Sequence, residues 1–117
     1  GDGAVLMHAG ALAIVGQKSP SNFLHIVINN ESHDSVGGQP TASPNVDYVG
    51  FAQSMGYRNA LRATTATQVE AALDHLLDSE GPSLLEIKTR KGSRRDLGRP
   101  TITPLENRNE LMRRLLW

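Results

Sequence analysis

Three groups of residues in this 117-residue chain have the types and spacing to do chemistry. Asp2 stands between two glycines in the opening Gly1-Asp2-Gly3 and leads into the apolar stretch AVLMHAGALAIVG. Asn29 and Asn30 follow the bulky run FLHIVI directly and precede Glu31, Ser32 and His33. A third group, Lys91, Arg94 and Arg95, lies in the basic stretch KGSRRDLGR. A carboxylate, a side-chain amide and a nearby carbonyl are hard oxygen ligands. They suit Mg²⁺, which takes few protein ligands and completes its octahedron with phosphate oxygens and water. Gly3 and Ala4 would present backbone N–H groups at a helix start, where an anion is favoured. The combination predicts a Mg²⁺-bridged diphosphate.

For Asp2 and Asn30 to share one cation, the chain between them must go out and come back. A helix over residues 4–16 advances about 20 Å at ~1.5 Å per residue. A strand over residues 23–28 returns about 20 Å at ~3.3 Å per residue. Both residues then arrive at the carboxyl end of the strands, where ligands bind in open α/β sheets. The helix is apolar on nearly every face, which predicts burial on several sides. Residues 29–45 carry turn formers without periodicity and predict a long functional loop.

The remaining chain alternates in the same manner. Residues 47–55 predict a short helix ended by Gly56, and residues 58–63 a second strand. Thr67-Gln68-Val69-Glu70 fits a capping box ahead of a helix with Leu73, Leu76 and Leu77 as its core stripe. Gly81 and Pro82 end it, and SLLEIK (residues 83–88) is a third strand. Thr103 and Pro104 start a terminal helix running through Leu116. This order predicts an α/β fold, a parallel sheet with flanking helices joined by right-handed crossovers. Only three strands are visible, and none feeds the first helix.

Composition narrows the function classes. With 38% apolar and 21% charged residues the chain is globular rather than disordered. A formal net charge of zero gives no support to nucleic acid or a membrane surface as partner. The absence of cysteine excludes disulfides and thiolate metal sites and fits a reducing, cytoplasmic compartment. No apolar run approaches the length needed to span a bilayer.

GDG, 25 residues, then Asn29-Asn30 resembles the signature of thiamine-diphosphate enzymes in their diphosphate-binding domain. Met7 and Leu12 also match common positions of that motif. Ala11 departs from the acetolactate-synthase-like branch, where glutamate is frequent. NNESHDSVGGQPT, VDYVGFAQSMGY and KGSRRDLGRPTITPLENRNELMRRLL together resemble the phosphonopyruvate decarboxylase family, with sulfopyruvate decarboxylase as its nearest relative. The resemblance implies that residues 1–117 are the C-terminal part of a diphosphate-binding domain whose upstream strands are missing. It implies thiamine diphosphate and Mg²⁺ as cofactors, with Asp2, Asn30 and the carbonyl of Ser32 on the metal. It implies decarboxylation of 3-phosphonopyruvate to phosphonoacetaldehyde and CO₂. The activating glutamate would come from the pyrimidine-binding domain of a partner subunit in a homo-oligomer, so that this stretch alone would be inactive.

His33 is the candidate catalytic residue of this chain, since it follows the metal-site asparagines. Lys91, Arg94 and Arg95 are candidates for a dianionic phosphonate, which needs charge-assisted donors. His8 is expected as a hydrogen-bonded core histidine, His25 within the first strand, and His75 within the leucine-rich helix. None has a partner at metal-ligand spacing, and the GxGxxG dinucleotide fingerprint is absent. Two other functions compete with this one: a sulfopyruvate decarboxylase or another thiamine-diphosphate enzyme, and a non-catalytic module that binds a diphosphate or a protein. Unpaired sheet edge and apolar helix surface favour association.

Overall fold

The computed structural model describes residues 1–115. The elements in chain order are α1 (Asp2–Met7), α2 (Gly10–Lys18), β1 (Leu24–Asn29), β2 (Ser32–His33), β3 (Gln39–Pro40), α3 (Tyr48–Ser54), β4 (Asn59–Ala63), α4 (Ala66–Leu77), β5 (Ser83–Lys88) and α5 (Pro104–Leu115). β1, β5 and β4 form a parallel three-stranded sheet in that spatial order, as the α/β expectation requires. β5 is central, and its residues 83–86 are buried on both faces, so its burial does not alternate along the strand.

Alternation across the pleat sends β-strand side chains into two separate cores. Leu84, Val27 and Ala60 pack with Val5 and Leu12 of α1 and α2, with Tyr48 and Ala52 of α3, and with Tyr57. On the opposite face Leu85 and Ala63 pack against Ala72 and Leu76 of α4. Because the strands are parallel, Asn29, Ala63 and Lys88 all finish at one edge of the sheet. A Cβ on Gly1 would lie 3.8 Å from the carbonyl oxygen of Ile28, so the start of α1 abuts that same edge. The out-and-back closure between Asp2 and Asn30 is therefore met.

Several local expectations are corrected. The first helix is not continuous: it breaks at His8 and Ala9, where His8 takes φ −130°. Its outer surface is not buried, since Met7 and Ile14 are exposed, and His8 is exposed rather than a core histidine. The elements of this chain cover one side of that helix pair and leave the other bare. The N-cap of α4 lies two residues before the expected one. Thr65 is the N-cap, its hydroxyl accepting from the Gln68 N–H at 3.3 Å, while the Gln68 side chain accepts from the Thr64 N–H at 2.8 Å. Leu77 is exposed, which leaves Leu76 and Ala72 as the buried face of α4. The irregular segment after β1 contains the short β2–β3 hairpin and single 3₁₀ turns at Asp34–Val36 and Ser43–Asn45.

The Thr103 cap of α5 forms as expected: its hydroxyl accepts from the Glu106 N–H, and the Glu106 carboxylate accepts from the Thr103 N–H. Leu116 lies outside the described residues. No described residue of α5 is buried. The Cα radius of gyration is 16.0 Å, against about 13 Å for a compact chain of this length. Among the described residues no helix is long and apolar enough to cross a membrane.

His25, half-buried in β1, has Nδ1 3.3 Å from the Tyr57 hydroxyl. Burial holds its pKa below the ordinary value of 6.5. A depressed pKa means that the unfolded chain takes up the proton first as pH falls. Stability is therefore full above about pH 6.5 and is lost below it. Chemical denaturation of the full-length protein from pH 7.5 to 5 should show this decline, and His25→Gln should flatten it. An unchanged slope in the variant would contradict the assignment.

Candidate functional site

Asp2 opens α1 and is only 1% exposed. A carboxylate so deeply placed needs donors, and the segment before α3 supplies them. Thr41 Oγ1 and Ser43 Oγ each donate to Asp2 Oδ2 at 2.6 Å. Because the Ser43 proton goes to Asp2, its oxygen accepts from the Tyr48 hydroxyl at 2.7 Å; the Tyr48 hydroxyl also lies 3.2 Å from the Asp2 carbonyl. Burial alone would push the Asp2 carboxyl up. The Ser43 and Thr41 hydroxyls, with the backbone N–H groups of Asp2 and Gly3, outweigh it, and the carboxyl is held below its ordinary value. Asp2 is thus a fixed, ionised oxygen donor. Tyr48 is shifted the opposite way, by its burial and by the nearby Asp2 and Glu86 carboxylates.

The two asparagines divide their work. Asn29 points inward and is fully buried, its Nδ2 donating to Glu86 Oε1 at 2.6 Å and its Oδ1 accepting from the Glu31 N–H at 3.2 Å. Asn30 Oδ1 accepts from the Ser32 N–H at 3.2 Å, forming a second Asx turn immediately after the first. Between them Glu31 adopts φ +58°, a left-handed conformation that costs a non-glycine residue about 1 kcal/mol. It is held there by an ion pair with Lys88 and by its carbonyl accepting from the Thr41 N–H at 3.1 Å. Sharp turns at consecutive residues aim Asn30 and Ser32 back towards α1.

Gly1, Asp2, Gly3, Ala4, Asn30, Ser32 and His33 line one cleft of about 310 Å³, together with Met7, Ile28, Asp34 and Ser35. Every residue expected to hold metal or diphosphate is therefore in one place. His33 packs over the start of α1 so closely that a Cβ on Gly3 would lie 2.3 Å from its Cε1. Glycine at position 3 is what admits the ring. Lys91 and Arg94 do not line this cleft: they border a separate depression of about 340 Å³ with Arg90, Gly92 and Ser93. Arg95 is exposed and lines neither.

The donor set fits Mg²⁺ and diphosphate. Among the described residues no three His, Cys, Asp or Glu side chains are grouped for a metal. One buried carboxylate with amide and backbone oxygens remains, and it leaves most of an octahedron to phosphate and water.

Several participants are not signalled by motif. Thr41 and Ser43 sit in a polar stretch that resembles any turn, and Tyr48 opens α3 with no motif that marks it. Glu86 is different, because a charge inside SLLEIK has to be paired once buried, and that is a readable signal. Its Oε2 accepts from Arg62 Nε at 2.6 Å, and the Arg62 guanidinium also donates to Asp47 Oδ1 at 3.0 Å. Asp34, outside every expectation, is held below its ordinary pKa by the Ser32 hydroxyl, the Gly92 N–H, the Asn30 amide and the Lys91 charge.

The chain is 44% identical over 106 residues to phosphonopyruvate decarboxylase of Streptomyces viridochromogenes, covering 91% of this chain and 27% of that protein. It is 40% identical over 106 residues to the phosphonopyruvate decarboxylase of Streptomyces hygroscopicus, with 91% and 26% covered. To the sulfopyruvate decarboxylase subunit beta of Methanococcus maripaludis it is 30% identical over 90 residues, with 77% and 48% covered. The chain thus spans about a quarter of the length of these two phosphonopyruvate decarboxylases. Residues 1–87, which contain the whole Asp2–Asn30 cleft, match the family of thiamine pyrophosphate enzymes, C-terminal TPP binding domain, and the chain belongs to that family.

Proposed function

We propose that this chain forms the diphosphate-binding part of a thiamine-diphosphate-dependent decarboxylase that converts 3-phosphonopyruvate to phosphonoacetaldehyde and CO₂. The convergence of Asp2, Asn30 and Ser32 on one cleft, inside the family match, carries the cofactor assignment. Asp2 Oδ, Asn30 Oδ1 and the Ser32 carbonyl would hold Mg²⁺, and Gly3 and Ala4 would line the diphosphate. Bound thiamine diphosphate supplies the electron sink for the pair left behind when carbon dioxide departs. The protein's share is position and charge. Thr41 and Ser43 keep Asp2 ionised and immobile, the paired Asx turns aim Asn30, and His33 faces the reacting centre from the rim.

The substrate assignment rests on the extent of similarity. A match of 106 residues in a chain of 117 necessarily takes in residues 91–95. Lys91, Arg94 and Arg95 are exposed and offer charge-assisted donors to a phosphonate. Assembly completes the site in this proposal. Ile26 and Ile28 on β1, with Met7 and Ile14 on the outer helix surface, are bare apolar positions suited to a homo-oligomer. Its partner subunit would contribute the pyrimidine-binding domain and the activating glutamate.

Carbon dioxide release by the full-length protein from phosphonopyruvate and from sulfopyruvate tests this reading. Phosphonopyruvate should be strongly preferred, and Arg94→Ala or Arg95→Ala should raise its KM about tenfold, the loss of one charge-assisted contact. Equal or faster turnover of sulfopyruvate would replace the substrate, and no turnover of either 2-oxoacid would reject the activity.

A further inference from the structure

Asp34 lies outside the metal-site residues and outside the basic segment, yet it touches both. Its Oδ1 accepts from Ser32 Oγ at 2.8 Å, and its Oδ2 accepts from Asn30 Nδ2 at 2.8 Å. Across the sheet edge, the same Oδ2 accepts from the backbone N–H of Gly92 at 2.8 Å. Two other contacts tie the end of β5 to the end of β1 and the turn that follows: the Thr89 N–H donates to the Asn29 carbonyl at 2.9 Å, and Lys88 pairs with Glu31. Among the described residues Gly92 makes the hydrogen bond to this turn that lies furthest along the chain. Beyond it Arg94 pairs with Asp96 at 3.6 Å, within the basic segment itself. Gly92 stands at φ +86°, and a Cβ built on it would meet nothing within 4 Å. That backbone conformation favours glycine, and here it accompanies an N–H turned to the Asp34 carboxylate.

We propose that Asp34 is a positioning residue that latches the basic segment 91–95 to the metal-site turn 30–32, so that order at one is transmitted to the other. The proposal deepens the decarboxylase reading and rests on it for the meaning of the two ends. The latch itself is independent of that reading. A single carboxylate serves because it has two oxygens with several lone pairs and can accept three donors at once. Asparagine at the same position keeps one such oxygen for Asn30 and Gly92, while its amide can donate to the Ser32 hydroxyl. Alanine keeps none of these contacts.

Trypsin reads the latch directly, because the Lys91–Gly92 bond contains the nitrogen that Asp34 holds. With no cofactor or substrate present, Asp34→Ala in the full-length protein should raise cleavage at Lys91 about tenfold, tracking the opened population, with cleavage at Lys18 unchanged. Asp34→Asn should stay near wild type. Gly92→Ala, strained at positive φ, should reproduce the alanine effect, and combining the two should add little. Unchanged cleavage at Lys91 would overturn the latch. Equal acceleration at Lys18 would reduce Asp34 to a general fold contact, and Asp34→Asn behaving as Asp34→Ala would replace the hydrogen bonds by bare charge; either overturns it. Thiamine diphosphate with Mg²⁺ should slow cleavage at Lys91 in wild type and much less in Asp34→Ala. Cofactor binding measured in parallel separates the two claims. Binding without protection overturns the transmission, whereas no binding at all rejects the cofactor assignment and leaves the Asp34 effect standing.

Discussion

Glu86→Leu lowers the stability of the full-length protein by about 3 kcal/mol, on the order of 10 °C in Tm. Glu86 is 1% exposed on the central strand and accepts from Asn29 at one oxygen and Arg62 at the other. Leucine fills the volume but leaves the Asn29 amide, fully buried, without an acceptor. An unsatisfied buried donor costs about 1–3 kcal/mol, and the second contact adds less, because Arg62 is half-exposed and keeps Asp47. Glu86→Gln should cost roughly a third as much, since its carbonyl oxygen can still serve Asn29 while Arg62 turns to water. Because Asn29 also accepts from the Glu31 N–H, the loss spreads into the turn at residues 29–32. Differential scanning calorimetry of the two variants checks the ranking; equal Tm values in wild type and Glu86→Leu would show that Asn29 finds another partner.

Gly16→Ala should cost about 3 kcal/mol or more, at the upper end of overpacking. A Cβ at position 16 would lie 1.8 Å from the carbonyl oxygen of Met55 and 2.8 Å from its carbonyl carbon. Those are backbone atoms at the C-terminus of α3, so no side chain can swing aside. The same substitution at Gly10, at the start of α2, meets nothing within 4 Å and should be neutral or slightly stabilising. Opposite signs for two glycine-to-alanine changes in one helix isolate contact from helix propensity. Similar denaturation midpoints for both variants would refute the close approach of α2 and α3.

Much of the fold is written in local patterns, because local patterns are enough for it. FLHIVI and SLLEIK are recognisable as strands from β-branched and bulky residues alone, and Gly81-Pro82 marks a helix end without any tertiary knowledge. The meeting of Asp2 with Asn30 follows from rise per residue, and the break at His8 and Ala9 does not disturb it, since helix and strand still return to one sheet edge. What sequence does not give is long-range polar pairing. Nothing within several residues of Thr41 or Ser43 says that their hydroxyls end on a carboxylate 39 and 41 positions away. Asp34 and Gly92 are likewise separated by 58 positions, and their encounter is set by parallel register between β1 and β5. The expected burial of the first helix failed for a related reason. Apolarity fixes that a face needs covering, and these 115 described residues cover one side of it.

The most direct test is calorimetric titration of thiamine diphosphate into the full-length protein, with Mg²⁺ or with chelator, for wild type and Asp2→Asn. Asparagine keeps an oxygen for the Thr41 and Ser43 hydroxyls, so the fold around it survives while the ionised ligand is lost. Saturable binding that requires Mg²⁺ in wild type, weakened about a hundredfold in Asp2→Asn, is the predicted result, equivalent to about 2.7 kcal/mol. Equally tight binding in the variant, or tight binding in chelator, would contradict a divalent cation held between Asp2 and Asn30.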